Sequence, residues 1–120
     1  MISGYVNSDL EAIVPVALVD GNGYRWRQEV VIDTGFNGDL TLPAEFIREL
    51  GLPLYGEIPA TLADGQTNDY NHYGAIVLWE GERRVIEVME SRNQSLLGTN
   101  LIQGSRLTVQ MWEGGDVVIE

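Results

Sequence analysis

Apolar and polar residues alternate along this chain in short runs broken by glycine and Asp-Gly pairs, the pattern of a protein built from hairpins. Residues 11–19, Glu-Ala-Ile-Val-Pro-Val-Ala-Leu-Val, predict a strand. Asp20-Gly21-Asn22-Gly23 predicts a turn, because Gly and Asn tolerate positive φ, and residues 24–32 return as a second strand ending in Val30-Val31-Ile32. A hairpin with polar arms is expected from 60–63 through Asp64-Gly65 to about Tyr73, and another from 75–80 and 83–89 turning at Gly81. Leu107, Val109 and Met111 alternate with polar neighbours, the period of a half-buried strand. Gly114-Gly115 then leads into a last strand at 117–119.

One stretch breaks the alternation. From Pro43 to Gly51 the chain has proline at the start, good helix formers within and glycine as a stop, which predicts about two helical turns. A second helical turn is expected after Gly98. No linker, repeat or low-complexity segment divides the sequence, so residues 1–120 read as a single domain. The fold class is mostly β, a small closed or folded β-barrel with one or two short helices.

Composition removes several classes of function. Eighteen acidic against seven basic residues give a formal charge of −11, a field that repels phosphate backbones and anionic bilayers. Neither nucleic acid nor membrane is therefore an expected partner. The chain has no cysteine, which excludes thiol catalysis, disulfides and thiolate zinc sites. A basic n-region followed by an apolar h-region is absent from the first residues, and no apolar run approaches the roughly 18 residues that span a bilayer, so a cytoplasmic location is the expectation.

Candidate chemistry is concentrated at Val30-Val31-Ile32-Asp33-Thr34-Gly35, where an apolar strand delivers an acid into a Thr-Gly turn. Residue frequencies alone produce an Asp-Thr-Gly triplet in about 2% of chains of this length, so the triplet by itself is weak. An Asx-type turn, with the acid bonding the backbone two residues on, accounts for it equally well. Asp9, Asp20, Asp39, Asp64, Asp69 and Asp116 lack a comparable setting, and Asp20 and Asp64 precede Gly as turn residues do.

The wider context adds to the triplet. Leu96-Leu97-Gly98-Thr99-Asn100-Leu101-Ile102 follows downstream as two apolar residues and a glycine opening a short helix, and the hairpin at 60–74 lies between the two elements. In this order, over almost the whole chain, the sequence resembles the retroviral-type (retropepsin-like) aspartic peptidases, and the Phe-Asn-Gly-Asp-Leu-Thr-Leu-Pro run after Gly35 looks like bacterial single-domain members. The resemblance implies an acid-peptidase β-barrel and an aspartic endopeptidase that activates water between two carboxylates. It makes Asp33, Thr34 and Gly35 the catalytic motif, with Thr34 bonding the partner's backbone. It also makes 63–73 a flap, with Ala63, Asp64, Gly65 and Gln66 on the substrate together with Phe36. Because Asp-Thr-Gly occurs once, the resemblance further implies a homodimer in which each copy supplies one Asp33, acting on an extended peptide or protein. No metal or organic cofactor is implied.

Two features depart from that family. Phe36 stands where retroviral members usually have Ala and pepsin-like ones Ser, and the flap has one glycine among polar residues. His72, the sole histidine, is expected at the surface, and Trp26, Trp79 and Trp112 in a core or a dimer interface. Three readings stand at this point: a homodimeric peptidase, a catalytically inactive peptide-binding module on the same fold, and an unrelated β protein in which Asp-Thr-Gly is a turn.

Overall fold

In the computed structural model, which describes residues 1–61 and 63–120, the order of elements follows the hydrophobic runs. Strands β1 (Ile2–Val6), β2 (Ala12–Val19), β3 (Arg25–Ile32) and β4 (Leu40–Pro43) precede helix α1 (Ala44–Leu50). Strands β5 (Leu54–Thr61), β6 (Thr67–Trp79), β7 (Glu82–Ser91) and β8 (Leu96–Leu97) lead to helix α2 (Thr99–Ile102), and β9 (Leu107–Val109) and β10 (Asp116–Ile119) close the chain. All ten strands join one sheet, in the order β5-β6-β7-β4-β8-β3-β2-β1-β10-β9. A further pairing sets Ala17, Leu18 and Val19 of β2 against Leu78, Val77 and Ile76 of β6, so six strands form a closed ring of hydrogen bonds.

The ring holds the core. Val14, Val16 and Leu18 of β2 face inward with Val30, Leu40, Leu42, Val77, Val88 and Leu97, all essentially inaccessible. Ile47 and Leu50 of α1, Leu101 of α2 and Val117 and Ile119 of β10 cap the same cluster. Burying each of these side chains contributes about 1.5–3 kcal/mol relative to leaving it in water. Helix α1 begins after Pro43, whose φ of −61° suits the entry, and ends at Gly51 in the left-handed region (φ 63°), as proline-first and glycine-last signals require.

Three hairpins appear where the sequence places them, with one difference. The arms expected at 66–73 and 75–80 are a single strand, β6, paired with β5 along its first half and with β7 along its second. Gly74, at the junction, makes no turn. It is there because the Tyr55 ring lies so close that a Cβ at 74 would sit 2.1 Å from the phenol oxygen. Strand β5 begins at Leu54, earlier than its polar composition suggests, and β1, β4 and β8 are strands too short or too irregular to show a period. Met111 lies beyond β9 and is exposed. Of the tryptophans, Trp79 is buried, Trp26 packs edge-on against Phe46, and Trp112 is exposed. His72 is half-buried rather than superficial, and its Nδ1 has no hydrogen-bond partner. Among the described residues, no helix is long and apolar enough to cross a membrane.

The β2–β3 turn is organised by one carboxylate. Asp20 Oδ1 accepts from the backbone N–H of Asn22 (2.9 Å) and Tyr24 (2.8 Å), and Oδ2 accepts from the Trp26 indole (2.8 Å). The indole bond, followed by the backbone N–H groups, holds the Asp20 carboxyl below the ordinary aspartate range. A group held low in the folded state contributes stability in full above its unfolded value, about 3.9, and loses it as pH falls through the folded value. Asp20→Ala should therefore lower the melting temperature at pH 7, and the gap to the parent should shrink as the pH falls below 4. A gap of equal size at pH 7 and pH 3 would show that the carboxylate's charge is not what holds the turn.

Candidate active site

Strand β8 is only two residues long, yet it positions everything at Asp33. It runs parallel to the end of β3, with Val31 opposite Leu96 and Ile32 opposite Leu97. It is antiparallel to the start of β4, with Leu40 opposite Leu97 and Thr41 opposite Leu96. The loop carrying Asp33 thus leaves one neighbour of β8 and returns as the other. Thr41, the buried polar side chain of the core, fixes the entry to β8: its hydroxyl accepts from Leu96 N and donates to the Gln94 carbonyl, both at 3.0 Å.

The loop closes over the start of α2. Leu97 O accepts from Asp33 N (2.9 Å), and Asp39 O accepts from Gly98 N (3.0 Å). The Phe36 and Gly38 carbonyls take the N–H groups of Thr99 (2.8 Å) and Asn100 (3.1 Å), donors that the first turn of a helix otherwise leaves unpaired. The Asp39 side chain ties this assembly to β7, accepting from Asn100 Nδ2 at 2.7 Å and from Glu87 N at 3.0 Å. Gly98 allows the closure: a Cβ there would lie 2.1 Å from the Gly38 carbonyl oxygen and 2.7 Å from the Phe36 ring.

Asp33 emerges half-buried at the end of β3. Its Oδ1 accepts from Gly35 N at 2.9 Å, and its carbonyl accepts from Phe36 N at 3.1 Å. The first of these is the Asx-type bond of an ordinary turn, so the local turn and the presentation of an acid coexist. Thr34 and Gly35 are exposed, and among the described residues the Thr34 hydroxyl has no hydrogen bond within the chain. A cleft of about 430 Å³ opens beside Asp33 and Thr34, walled by Val31, Ile32 and Leu96 of the ring and by Leu10, Leu107, Val109 and Met111 from outside it.

Phe36 is half-buried, its ring laid against Gly38 and Gly98, and it does not line this cleft. Ala63, Asp64, Gly65 and Gln66 form the exposed tip of the β5–β6 hairpin, with Gln66 N bonded to Asp64 Oδ1 (2.9 Å) and Gly65 at φ 86°. None of the four lines the cleft within one chain, and Leu62 lies outside the described residues. Sequence reasoning missed the apolar wall. Leu10 and Met111 are 56% and 57% exposed, and Leu10 holds φ at 61°, a conformation rare for a branched side chain. Asn7 imposes it, its Oδ1 accepting from Asp9 N and Glu11 N at 3.0 and 2.9 Å. Nothing in the local sequence beyond a turn-forming Asn announces this.

No protein-family model matches the chain, and a search of curated proteins gives no match. Among solved structures, the chain is similar to a retropepsin-like aspartic protease from Rickettsia conorii, with a TM-score of 0.52 at 16% identity, over 98% of this chain and 91% of that one. At this identity the likeness is one of fold: the chain is folded as a retropepsin-like aspartic protease is folded.

The closure at Gly98 can be tested without reference to activity. Gly98→Ala should destabilise the chain by about 1–3 kcal/mol through overpacking against a backbone oxygen and the Phe36 ring. The denaturant midpoint measures this. An unchanged midpoint would show that the Asp33 loop does not depend on close approach at residue 98.

Proposed function

We propose that the chain is one half of a homodimeric aspartic endopeptidase whose catalytic pair is Asp33 from each copy. The observation that carries the reading is the position of the single Asp-Thr-Gly turn: it ends an inner strand, is clamped over Gly98, and presents a half-buried carboxylate at a cleft. Support for a second copy comes from the same place. The cleft's outer wall exposes Leu10 and Met111, Trp112 follows at 59% exposure, and β9 ends the sheet with one edge unpaired. A partner seated there by a two-fold axis brings a second Asp33 to the first and gives each Thr34 hydroxyl a backbone to bond. In this reading the strand ring is the small closed barrel of the acid peptidases, and the hairpin tip at Ala63, Asp64, Gly65 and Gln66 closes over an extended peptide lying in the shared groove.

The chemistry follows from two acids at one water. Two carboxylates about 3 Å apart cannot both ionise, so the pair keeps one proton. The ionised member takes a proton from water as its oxygen attacks the scissile carbonyl carbon. The protonated member gives its proton to the carbonyl oxygen. Collapse of the resulting gem-diol breaks the C–N bond, with a proton passing to the departing amine, and the pair returns to its singly protonated state. Phe36 lies on the loop behind the acid, and in this reading its ring against Gly38 and Gly98 stiffens the turn from within.

Asp33→Asn keeps the shape and cannot share the proton. It should lower peptide turnover by roughly 10²–10⁴-fold or more, with circular dichroism and sedimentation unchanged. Turnover at the parent's rate would make Asp33 a turn residue, while a folded variant that still binds peptide would leave the binding function intact. Dimerisation has its own signature. Specific activity should rise with protein concentration near the dissociation constant. Because each copy carries −11, added salt should tighten the dimer by screening their repulsion. Full activity in a sample that sediments as monomer would exclude the shared site.

A further inference from the structure

On the outer face of the ring, away from Asp33, the strand registers assemble a pattern that is not visible in the linear sequence. Arg27 of β3 lies opposite Ala17 of β2, Ala17 opposite Leu78 of β6, and Leu78 opposite Arg83 of β7. Directly paired residues project to the same side of a sheet, so these four form one row: cation, apolar, apolar, cation. The next row on that face is Arg25, Val19, Ile76 and Val85, and Val85 is 74% exposed. A groove of about 470 Å³ opens on this side, lined in part by Pro15, Ala17, Arg25, Arg27 and Leu78.

The arginines are free to take a ligand. Among the described residues, the one ion pair joins the Met1 ammonium to Glu80, and no side-chain hydrogen bond involves Arg25, Arg27 or Arg83. Two of the acids around them are committed: Glu80 to Met1 and Asp20 to its own turn. Glu29, two residues from Arg27, and Glu87, two residues beyond Val85, are the exposed acids that remain on the face. In a chain of net charge −11, an apolar strip with an unpaired arginine at each end offers two local anchors for carboxylates.

We propose that this face docks an extended acidic segment of another protein, one with two carboxylates flanking an apolar side chain. The spacing selects the pattern. Arg27 and Arg83 are three strands apart, about 14 Å. In an extended chain, residues i and i+4 are separated by about 13–14 Å and share a side with residue i+2. An acid-x-apolar-x-acid segment crossing the strands therefore sets one carboxylate on each arginine and its central side chain on Ala17 and Leu78. A lone phosphate is too small to reach both ends. Arg27 and Asp33 are six residues apart along β3, about 20 Å, so the occupant leaves the cleft at Asp33 open. The surface is separate from that cleft, and the inference stands whether or not Asp33 is catalytic.

Fluorescence anisotropy with a labelled Asp-Ser-Leu-Ser-Asp peptide and the full-length Asp33→Asn chain tests this without cleavage of the probe. Saturable binding is expected, weakened roughly tenfold by the double variant Arg27→Ala/Arg83→Ala and to a similar degree by Asn in place of both peptide acids. Arg106→Ala, an exposed arginine away from this face, should leave binding unchanged. Restored binding of an Arg-Ser-Leu-Ser-Arg peptide to Arg27→Glu/Arg83→Glu supports the paired geometry even if the alanine variant is compromised. No saturable binding, equal loss with Arg106→Ala, equal affinity for a peptide with adjacent acids, or displacement at equal concentration by anionic vesicles would each overturn it.

Discussion

A strand of two residues must fit between β3 and β4, and the loop that joins those strands must pass over its end. Both conditions meet at Leu97 and Gly98. Leu97 is fully buried and its carbonyl holds Asp33 N, while Gly98 has no side chain to keep the loop away. The loop carbonyls that would otherwise face solvent become the partners of the α2 N–H groups. Core packing and the position of the acid are therefore a single constraint. A change that loosens the fit of β8 frees the carboxylate, and one that displaces the loop leaves helix donors unpaired.

The most legible parts of the sequence were those governed by local chemistry. The Asp20–Gly23 turn, the proline-to-glycine limits of α1 and the Gly65 and Gly81 turns all follow from φ preferences and side-chain bonds within a few residues. The Asp-Thr-Gly turn and the Leu-Leu-Gly element were legible separately, and their order suggested that they belong together. What was not legible depends on distant partners. β8 is too short to show a period, β1 draws its partners from both ends of the chain, and the arginine row exists only once four strands are in register. Leu10 and Met111 look like stray surface residues until the fold sets them on one wall.

Phe36 shows how a bulky residue directly after an Asp-Thr-Gly turn can be accommodated. A ring beside the acid suggests a wall of the substrate groove, but two glycines, at 38 and 98, receive it on the loop's inner side. Its bulk replaces packing that side chains at those positions would otherwise provide. Phenylalanine offers no hydroxyl to the acid, and among the described residues the Asp33 carboxylate takes its intrachain hydrogen bond from Gly35 N.

Strand β6 belongs to two structures at once. Its first half is an arm of the exposed hairpin, and its second half forms the seam with β2 that closes the ring. No turn separates the halves, and at Gly74 a tyrosine ring presses on the backbone. A hairpin mounted in this way is less a hinged lid than the free end of a beam clamped in the wall of the molecule. A load applied at the tip would pass along β6 as bending to Ile76, Val77 and Leu78, the residues that pair with β2.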